Sequence, residues 1–173
     1  NKGITKFLIT LIRLYFNSGQ SNKGNELLNQ SREILKNNSD FYNYLGIRYL
    51  YEGNFDEGWK YYEFRKSKLS NFFKDIGEWN GANINNKSIV VYNEQGLGDS
   101  IQFSKYLIPL SKVSNKITFV VQENIKNLFK DLKNINIKTY DECKNQTFDF
   151  KISLGSLIKF FYKEIINPEE SLI

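Results

Sequence analysis

The first seventy residues repeat themselves at a spacing of 34 residues, and this repeat restricts the fold more than any other feature of the chain. A shift of 34 aligns similar residues at five pairs of positions: Leu11 with Leu45, Tyr15 with Tyr49, Gly19 with Gly53, Gly24 with Gly58 and Leu28 with Tyr62. A period of this length is typical of stacked helical hairpins. We therefore expect helices near 4–17, 21–36, 40–52 and 56–68.

The second copy resembles a tetratricopeptide repeat in its pattern of aromatic, aliphatic and small residues. The matching positions are Tyr42, Leu45, Gly46, Tyr49, Gly53, Phe55, Gly58 and Tyr62. The first copy has Ile12 in place of Gly46, and Ser70 stands where the family usually has a closing proline. The resemblance implies two repeats over about 5–38 and 39–70, within a helical region spanning 1–76.

A further helix over Ser67–Ile76 is expected to cap the repeats, because Leu69, Phe72, Phe73 and Ile76 share one helical face. The turn-rich segment Gly77–Lys87 follows it and reads as the linker between two domains.

After Lys87 the pattern changes to short apolar runs separated by segments of helix length. The runs at 88–92, 116–121, 135–140 and 148–154 read as buried strands, with helices expected at 99–111, 124–133 and 156–164. Strands and helices that alternate at this spacing favour a parallel sheet covered on both faces. We therefore predict an α + α/β protein in which residues 88–173 form a Rossmann-like domain.

Composition excludes several kinds of chemistry. The chain has no histidine, which removes imidazole-based catalysis and the usual histidine metal sites, and no metal site is predicted. The single Cys143 cannot form an internal disulfide and reads as a buried or idle thiol in a reducing compartment. The net charge of +5 comes from scattered lysines, so no nucleic-acid partner is expected. No segment reads as transmembrane, and a cytoplasmic protein is the expectation.

The run from Asn93 to Asp99 forms the first turn from strand to helix, where open α/β sheets usually bind ligands. Ile101 occupies the place of the third small residue of a dinucleotide fingerprint, and no Gly-Lys-Ser/Thr follows to make a phosphate loop. Two interpretations stay open. Asp99 caps the helix with Gln102 reaching back, while the glycines provide positive φ or close packing; alternatively, the turn binds a ligand or takes part in catalysis.

The run WNGANINNKSIVVYNEQGLGDSIQFSKYLIPL (79–110) resembles the segment that follows the repeats in bacterial tetratricopeptide proteins with a heptosyltransferase-like, glycosyltransferase family 9-like domain. The later run FDFKISLGSL (148–157) resembles the same family. Lys105 stands where arginine is more usual. The resemblance implies the N-terminal half of a GT-B glycosyltransferase, with the nucleotide-sugar donor held by a second domain. The absence of methionine agrees with a fragment. Without the donor-binding domain, the chain is expected to be inactive alone.

The same resemblance suggests roles for the residues of the turn. Asp99 is the candidate base that accepts a proton from an acceptor hydroxyl, and Glu94 is the second choice, with a salt-bridging or solvated acid as its plainer interpretation. The candidate substrate-binding residues are Gln95, Gly96, Leu97, Gly98, Gln102 and Ser156. Ser156 also suits a helix N-cap. The implied acceptor is a glycan or protein.

A second function fits the repeats. They would bind a peptide or protein partner, as repeat grooves commonly do, beside a non-catalytic α/β domain.

Overall fold

The computed structural model describes residues 2–65 and 73–166. The chain forms two compact units, residues 1–65 and 66–173. The first unit is helical and the second is built on a parallel sheet, as the sequence predicts for an α + α/β protein.

Four helices make up the described part of the first unit. They are α1 (Lys2–Asn17), α2 (Ser21–Leu35), α3 (Ser39–Tyr51) and α4 (Phe55–Tyr62). Each starts within two residues of its predicted position, and α1 packs on α2 as α3 packs on α4. The helix expected to continue to 68 ends at Tyr62, and residues 66–68 lie outside the described part.

The turns that close α1 and α3 have the same geometry. Gly19 and Gly53 adopt φ of +75° and +79°, the left-handed conformation in which many helices end. Matching hydrogen bonds join Gly19 N–H to Phe16 O (3.1 Å) and Gln20 N–H to Tyr15 O (2.9 Å), and Gly53 N–H to Leu50 O (3.1 Å) and Asn54 N–H to Tyr49 O (2.8 Å). The 34-residue period of the sequence is therefore also a period of the backbone.

Small residues let the paired helices approach each other closely. A Cβ added to Gly46 would lie 2.6 Å from the Tyr62 nitrogen, and one added to Gly58 would lie 2.6 Å from Leu50 Cδ2. In the first pair, a Cβ added to Gly24 would lie 3.0 Å from atoms of the Phe16 ring. The core of this unit comprises Ile9, Ile12, Phe16, Leu28, Leu35, Phe41, Tyr44 and Leu45.

A four-stranded parallel sheet organises the second unit. Its strands are β1 (Ser88–Tyr92), β2 (Lys116–Val120), β3 (Ile135–Lys138) and β4 (Phe150–Ser153), in the order β3-β2-β1-β4. Val91 pairs with Phe119 of β2 on one side and Ile152 of β4 on the other. The four strands predicted from the sequence are confirmed, and three of them are shorter than predicted.

The connections between the strands differ more from the predicted elements than the strands themselves do. From β1 the chain passes through α5 (Leu97–Phe103), a 3-10 turn and α6 (Leu107–Val113). A 3-10 helix over Glu123–Phe129 replaces the helix expected at 124–133. The short helix α7 (Tyr140–Cys143) was not expected, and a 3-10 turn (Leu154–Ser156) precedes α8 (Ile158–Ile166).

Both faces of the sheet are covered, as predicted for parallel strands. Cys143 of α7 and Phe73 pack with Val90 and Tyr92 on one face. Phe119 points to the opposite face and meets the ring of Phe129 at 5.2 Å.

The segment expected to link two domains belongs to the second unit. Trp79 N–H donates to the Lys151 carbonyl at 2.8 Å, and the Trp79 ring packs on Phe160 and Phe161. The division between units lies between residues 65 and 66, before the boundary placed at 77–87, because these contacts join the segment to the edge of β4.

The capping helix expected at 67–76 is described only at its end. Residues 67–72 lie outside the described residues. Phe73 to Ile76 form a turn, closed by a 3.1 Å bond from Ile76 N–H to the Phe73 carbonyl, and Phe73 packs on the sheet.

Among the helices of the described ranges, none has the length and apolar character needed to cross a membrane.

Candidate functional site

The order of the strands creates a switch point between β1 and β4. The chain leaves β1 towards β2 and β3, then returns to place β4 on the other side of β1. Loops that leave the carboxyl ends of two such strands run in opposite directions, and the crevice between them is where open α/β sheets bind ligands. The turn from Asn93 to Asp99 begins at this crevice.

Buried polar residues from both strands gather at the crevice. Asn93 and Glu94 follow β1 directly, and Ser153 ends β4. Ser156 lies in the next turn, with its hydroxyl 2.8 Å from that of Ser153, and this turn contacts α5. Burial of polar groups has a free-energy cost unless they are hydrogen-bonded, so their accumulation at one edge of the sheet marks it as a candidate site.

Asn93 holds the start of the turn. Its side chain accepts from Gln95 N–H at 3.2 Å and donates to the Gln95 carbonyl at 3.1 Å. Its backbone N–H reaches the Val120 carbonyl of β2 at 3.3 Å. Glu94 lies between these anchored residues with only 8% of its surface exposed, so it is not a solvated loop acid.

Tyr140 fixes the same loop from a distant part of the chain. Its hydroxyl donates to the Asn93 carbonyl at 2.7 Å. Burial, assisted by the nearby Glu94 carboxylate, raises the pKa of Tyr140 well above its usual value, so the hydroxyl keeps its proton.

The sequence interpretation assigned Tyr140 to a strand and missed this contact. Thr139 caps α7 in a capping box, in which Thr139 N–H donates to Glu142 at 2.7 Å. The Thr-x-x-Glu pattern that signals such a box is present in the sequence.

Asp99 bonds to the start of α5 from inside the first turn of the helix, and not from the N-cap position. Helix α5 begins at Leu97 with Gly96 as N-cap, and Asp99 Oδ2 accepts from Gly96 N–H at 3.1 Å. The prediction that Asp99 is the N-cap with Gln102 reaching back is wrong. The helix begins earlier because Ser100 N–H and its hydroxyl both bond the Gly96 carbonyl, at 3.1 and 3.2 Å.

Among the described residues, no contact or backbone conformation requires glycine at the two glycines of the turn, Gly96 and Gly98. Neither has a positive φ among the described residues, and Gly96 has φ −71°. A Cβ added to Gly98 would meet no described atom within 4 Å, and one added to Gly96 would meet only Asp99 Oδ2, at 3.4 Å. The interpretation that they provide positive φ or close packing is therefore wrong.

The remaining candidate residues are distributed around the turn. Gln95 is half-buried, whereas Leu97 and Gln102 are exposed on α5. Ser156 is buried and bonded to Ser153. It does not cap α8, because that helix begins two residues later, at Ile158.

A separate pocket of about 520 Å³ lies at the amino end of the sheet. Trp79, Asn85, Lys112 and Phe160 line part of it, and the residues expected to bind substrate do not. The crevice at the carboxyl ends, unlike this pocket, combines buried polar groups with the strand topology of a ligand site.

Comparisons with protein-family models, with curated proteins and with solved structures find no match to this chain.

Proposed function

We propose that the α/β unit is the acceptor-side half of a GT-B glycosyltransferase related to the heptosyltransferases. One observation carries the proposal: the Glu-Gln-Gly-Leu-Gly-Asp run begins at the switch point between β1 and β4, beside buried polar residues of both strands. A ligand-binding role for this run agrees with the general location of sites in open α/β sheets.

Asp99 is the base in this proposal. One of its oxygens, Oδ2, accepts from Gly96 N–H and holds the side chain in place. We assign Oδ1 to the acceptor hydroxyl, whose proton it takes as the acceptor oxygen attacks the anomeric carbon of the donor sugar. The bond from that carbon to the nucleoside diphosphate breaks, and the diphosphate leaves with the electron pair. Glu94 is the second choice, because it is buried at the same edge.

Gly96 and Gly98 leave the backbone of the turn open to close approach by a ligand. This role is supported by the absence of an internal reason for glycine at either position among the described residues. Gln95 and Ser156 supply hydrogen-bonding groups at the rim of the crevice, and Gln102 and Leu97 lie on the exposed side of α5. The donor nucleotide sugar is assigned to a second domain that residues 1–173 do not contain.

We further propose that the helical unit consists of two tetratricopeptide repeats that serve as a scaffold. The repeated turn geometry at Gly19 and Gly53 supports this assignment, as do the close approaches at Gly24 and Gly58.

The test is glycosyl transfer by the natural full-length protein, assayed with a panel of nucleotide sugars. Asp99→Ala is expected to lower the rate by roughly 100-fold or more, with an unchanged circular dichroism spectrum. Asp141→Ala is the matched control, because its carboxylate is 81% exposed on α7, and it should keep the full rate. Transfer that survives in each of the two single variants, Asp99→Ala and Glu94→Gln, would show that neither carboxylate is the base.

Gly98→Ala gives an independent test of the turn. The added methyl group meets no described atom, so folding should be preserved or slightly improved, whereas acceptor binding should weaken. Full acceptor affinity in this variant would remove the turn from the site.

The alternative function, a protein-interaction module with an inert α/β companion, is favoured by one feature of the helical unit. Tyr42 and Tyr49 both stack on Tyr61, at 5.6 and 5.7 Å between ring centroids, and Phe64 beside them is exposed. Absence of transfer with every donor, together with binding of a peptide at these rings, would favour this function.

A further inference from the structure

The pocket of about 520 Å³ at the amino end of the sheet lies apart from the crevice at the carboxyl ends. Its walls are the loop before β1, the end of α6 and the first turn of α8. The two sites lie at opposite ends of β1, whose five residues span roughly 16 Å. We call this site the amino-end pocket; its lining includes Trp79, Gly81, Asn83, Asn85, Lys112 and Phe160.

The loop wall of the amino-end pocket is held in place by internal contacts. The Trp79 indole N–H donates to the Ala82 carbonyl at 2.8 Å and so closes the turn. Gly81 within this turn has φ +94°, and a Cβ added to it would lie 2.8 Å from the Phe160 ring. Glycine is therefore needed for the loop to lie against α8. A pocket formed in this way before binding loses little conformational entropy when a ligand enters.

Two kinds of side chain line the amino-end pocket. Trp79 and Phe160 pack with ring centroids 4.8 Å apart and provide an apolar surface. Asn83 accepts from the Asn85 N–H at 2.9 Å, and no described residue bonds to the amino group of Asn83 or to the Asn85 side chain. An amide both donates and accepts hydrogen bonds, as the hydroxyl groups of a sugar do. A sugar ring also has an apolar C–H face, which suits the aromatic wall.

A second hollow of about 240 Å³ continues the amino-end pocket, because Asn85, Lys112 and Val113 line both. Its further lining is polar and includes Asn86, Ser111 and Asn115. Two connected hollows of this character suit neighbouring units of an oligosaccharide.

Lys112 gives the groove its charge. Among the described residues that line the two hollows, it is the one with an ionised side chain. Its side chain is 70% exposed, and its ammonium lies 3.9 Å from the Glu164 carboxylate, which is too far for a hydrogen bond. The N–H donors of Lys112 can therefore reach a carboxylate on a ligand. A nucleoside diphosphate would require more positive charge, or a helix N-terminus aimed at its phosphates.

We propose that the amino-end pocket and its continuation bind an oligosaccharide that contains a carboxylated sugar unit. A sugar ring lies on the aromatic wall, the asparagines bond its hydroxyl groups, and Lys112 bonds the carboxylate of the same or the next unit. This binding goes beyond the transfer reaction proposed above and does not depend on it, because the two sites share no residue.

The test is calorimetric titration of the 173-residue chain with two acidic tetrasaccharides. These are tetragalacturonate and the alternating tetramer of glucuronic acid and N-acetylglucosamine, with neutral chitotetraose and uridine diphosphate for comparison. At least one acidic tetrasaccharide is expected to bind roughly tenfold more tightly than chitotetraose. Nuclear magnetic resonance locates the site, since the Trp79 indole signal should shift and that of Trp59, in the helical unit, should not.

Lys112→Gln is expected to weaken binding of the acidic tetrasaccharide roughly tenfold and to leave chitotetraose unaffected. Lys133→Gln is the matched control, because it removes the same charge at an exposed position outside the pocket, and it should bind normally. Val113→Glu, at a position that is 40% exposed, should abolish binding of the acidic tetrasaccharide by repulsion. Circular dichroism verifies that these surface variants fold.

Three results would overturn the proposal. The first is the absence of binding with both acidic tetrasaccharides, and the second is binding that Lys112→Gln and Lys133→Gln change equally. The third is tighter binding of uridine diphosphate than of either tetrasaccharide with a shift of the Trp79 signal, which would assign the amino-end pocket to a nucleotide.

Discussion

The hydroxyl of Tyr140 donates a 2.7 Å hydrogen bond to the carbonyl of Asn93 and so joins α7 to the end of β1. Asn93 is buried, and this bond connects parts of the chain that are 47 residues apart.

Tyr140→Phe is expected to destabilise the α/β unit by about 1–2 kcal/mol, because it removes the donor and leaves a buried carbonyl with one partner fewer. Urea unfolding measures the change. Tyr51→Phe is the control, since Tyr51 is 83% exposed and should be nearly neutral. Equal midpoints for the two variants would mean that the Tyr140 bond contributes no stability.

Gly46→Ala should destabilise the helical unit by about 2 kcal/mol or more, because the new methyl group would meet backbone atoms of α4 that have little room to shift. Gly98→Ala places the same methyl group where no described atom lies within 4 Å, and should stabilise α5 by up to about 1 kcal/mol. Urea unfolding of the two variants should therefore show opposite signs. A neutral Gly46→Ala would indicate that α3 and α4 can separate at no cost.

Asp149 provides a pH-dependent contribution to stability. Hydrogen bonds from the Ser88 N–H, the Lys87 ammonium and the Ser88 hydroxyl lower the pKa of its carboxyl to about 2. A depressed pKa in the folded state gives stability that is present above the unfolded value near 3.8 and is lost as the pH falls towards 2.

Asp149→Asn should therefore be less stable than the natural protein at pH 6, and the difference should shrink as the pH falls from 4 to 2. The unfolding midpoint measured across this range checks the prediction, with Asp141→Asn as the exposed control. A difference that is independent of pH would assign the effect to geometry and not to charge.

Cys143 is buried against the sheet, and burial raises the pKa of its thiol. It should react with a thiol reagent at pH 8 at least about 100-fold more slowly in the folded protein than in urea, because only a locally opened state exposes it. The reaction is followed by absorbance. Fast labelling in the absence of urea would show that α7 opens readily.

The sequence predicts the helices of the first unit and the strands of the second well, because their apolar periodicity arises from burial. Val91, Phe119 and Ile152 fall in apolar runs, and they pair side by side in the sheet. The 34-residue period is equally reliable, because Gly19 and Gly53 repeat a turn that demands a positive φ.

The candidate site was harder to predict because it depends on contacts between distant residues. The sequence places Asp99 near the helix start, but its bond to Gly96 depends on where α5 begins, which Ser100 helps to decide. The role of Tyr140 depends on how α7 approaches Asn93, and no local pattern encodes that approach.

The place of β4 beside β1 also affects how the chain can fold. β1 lies between β2 and β4 in the sheet, yet β4 starts only at Phe150, after β2 and β3 along the chain. Until then one edge of an apolar strand stays unpaired, which is the kind of edge that recruits other chains. A polypeptide that ends before Phe150 would therefore tend to aggregate, because it lacks the edge strand that covers the open side of β1.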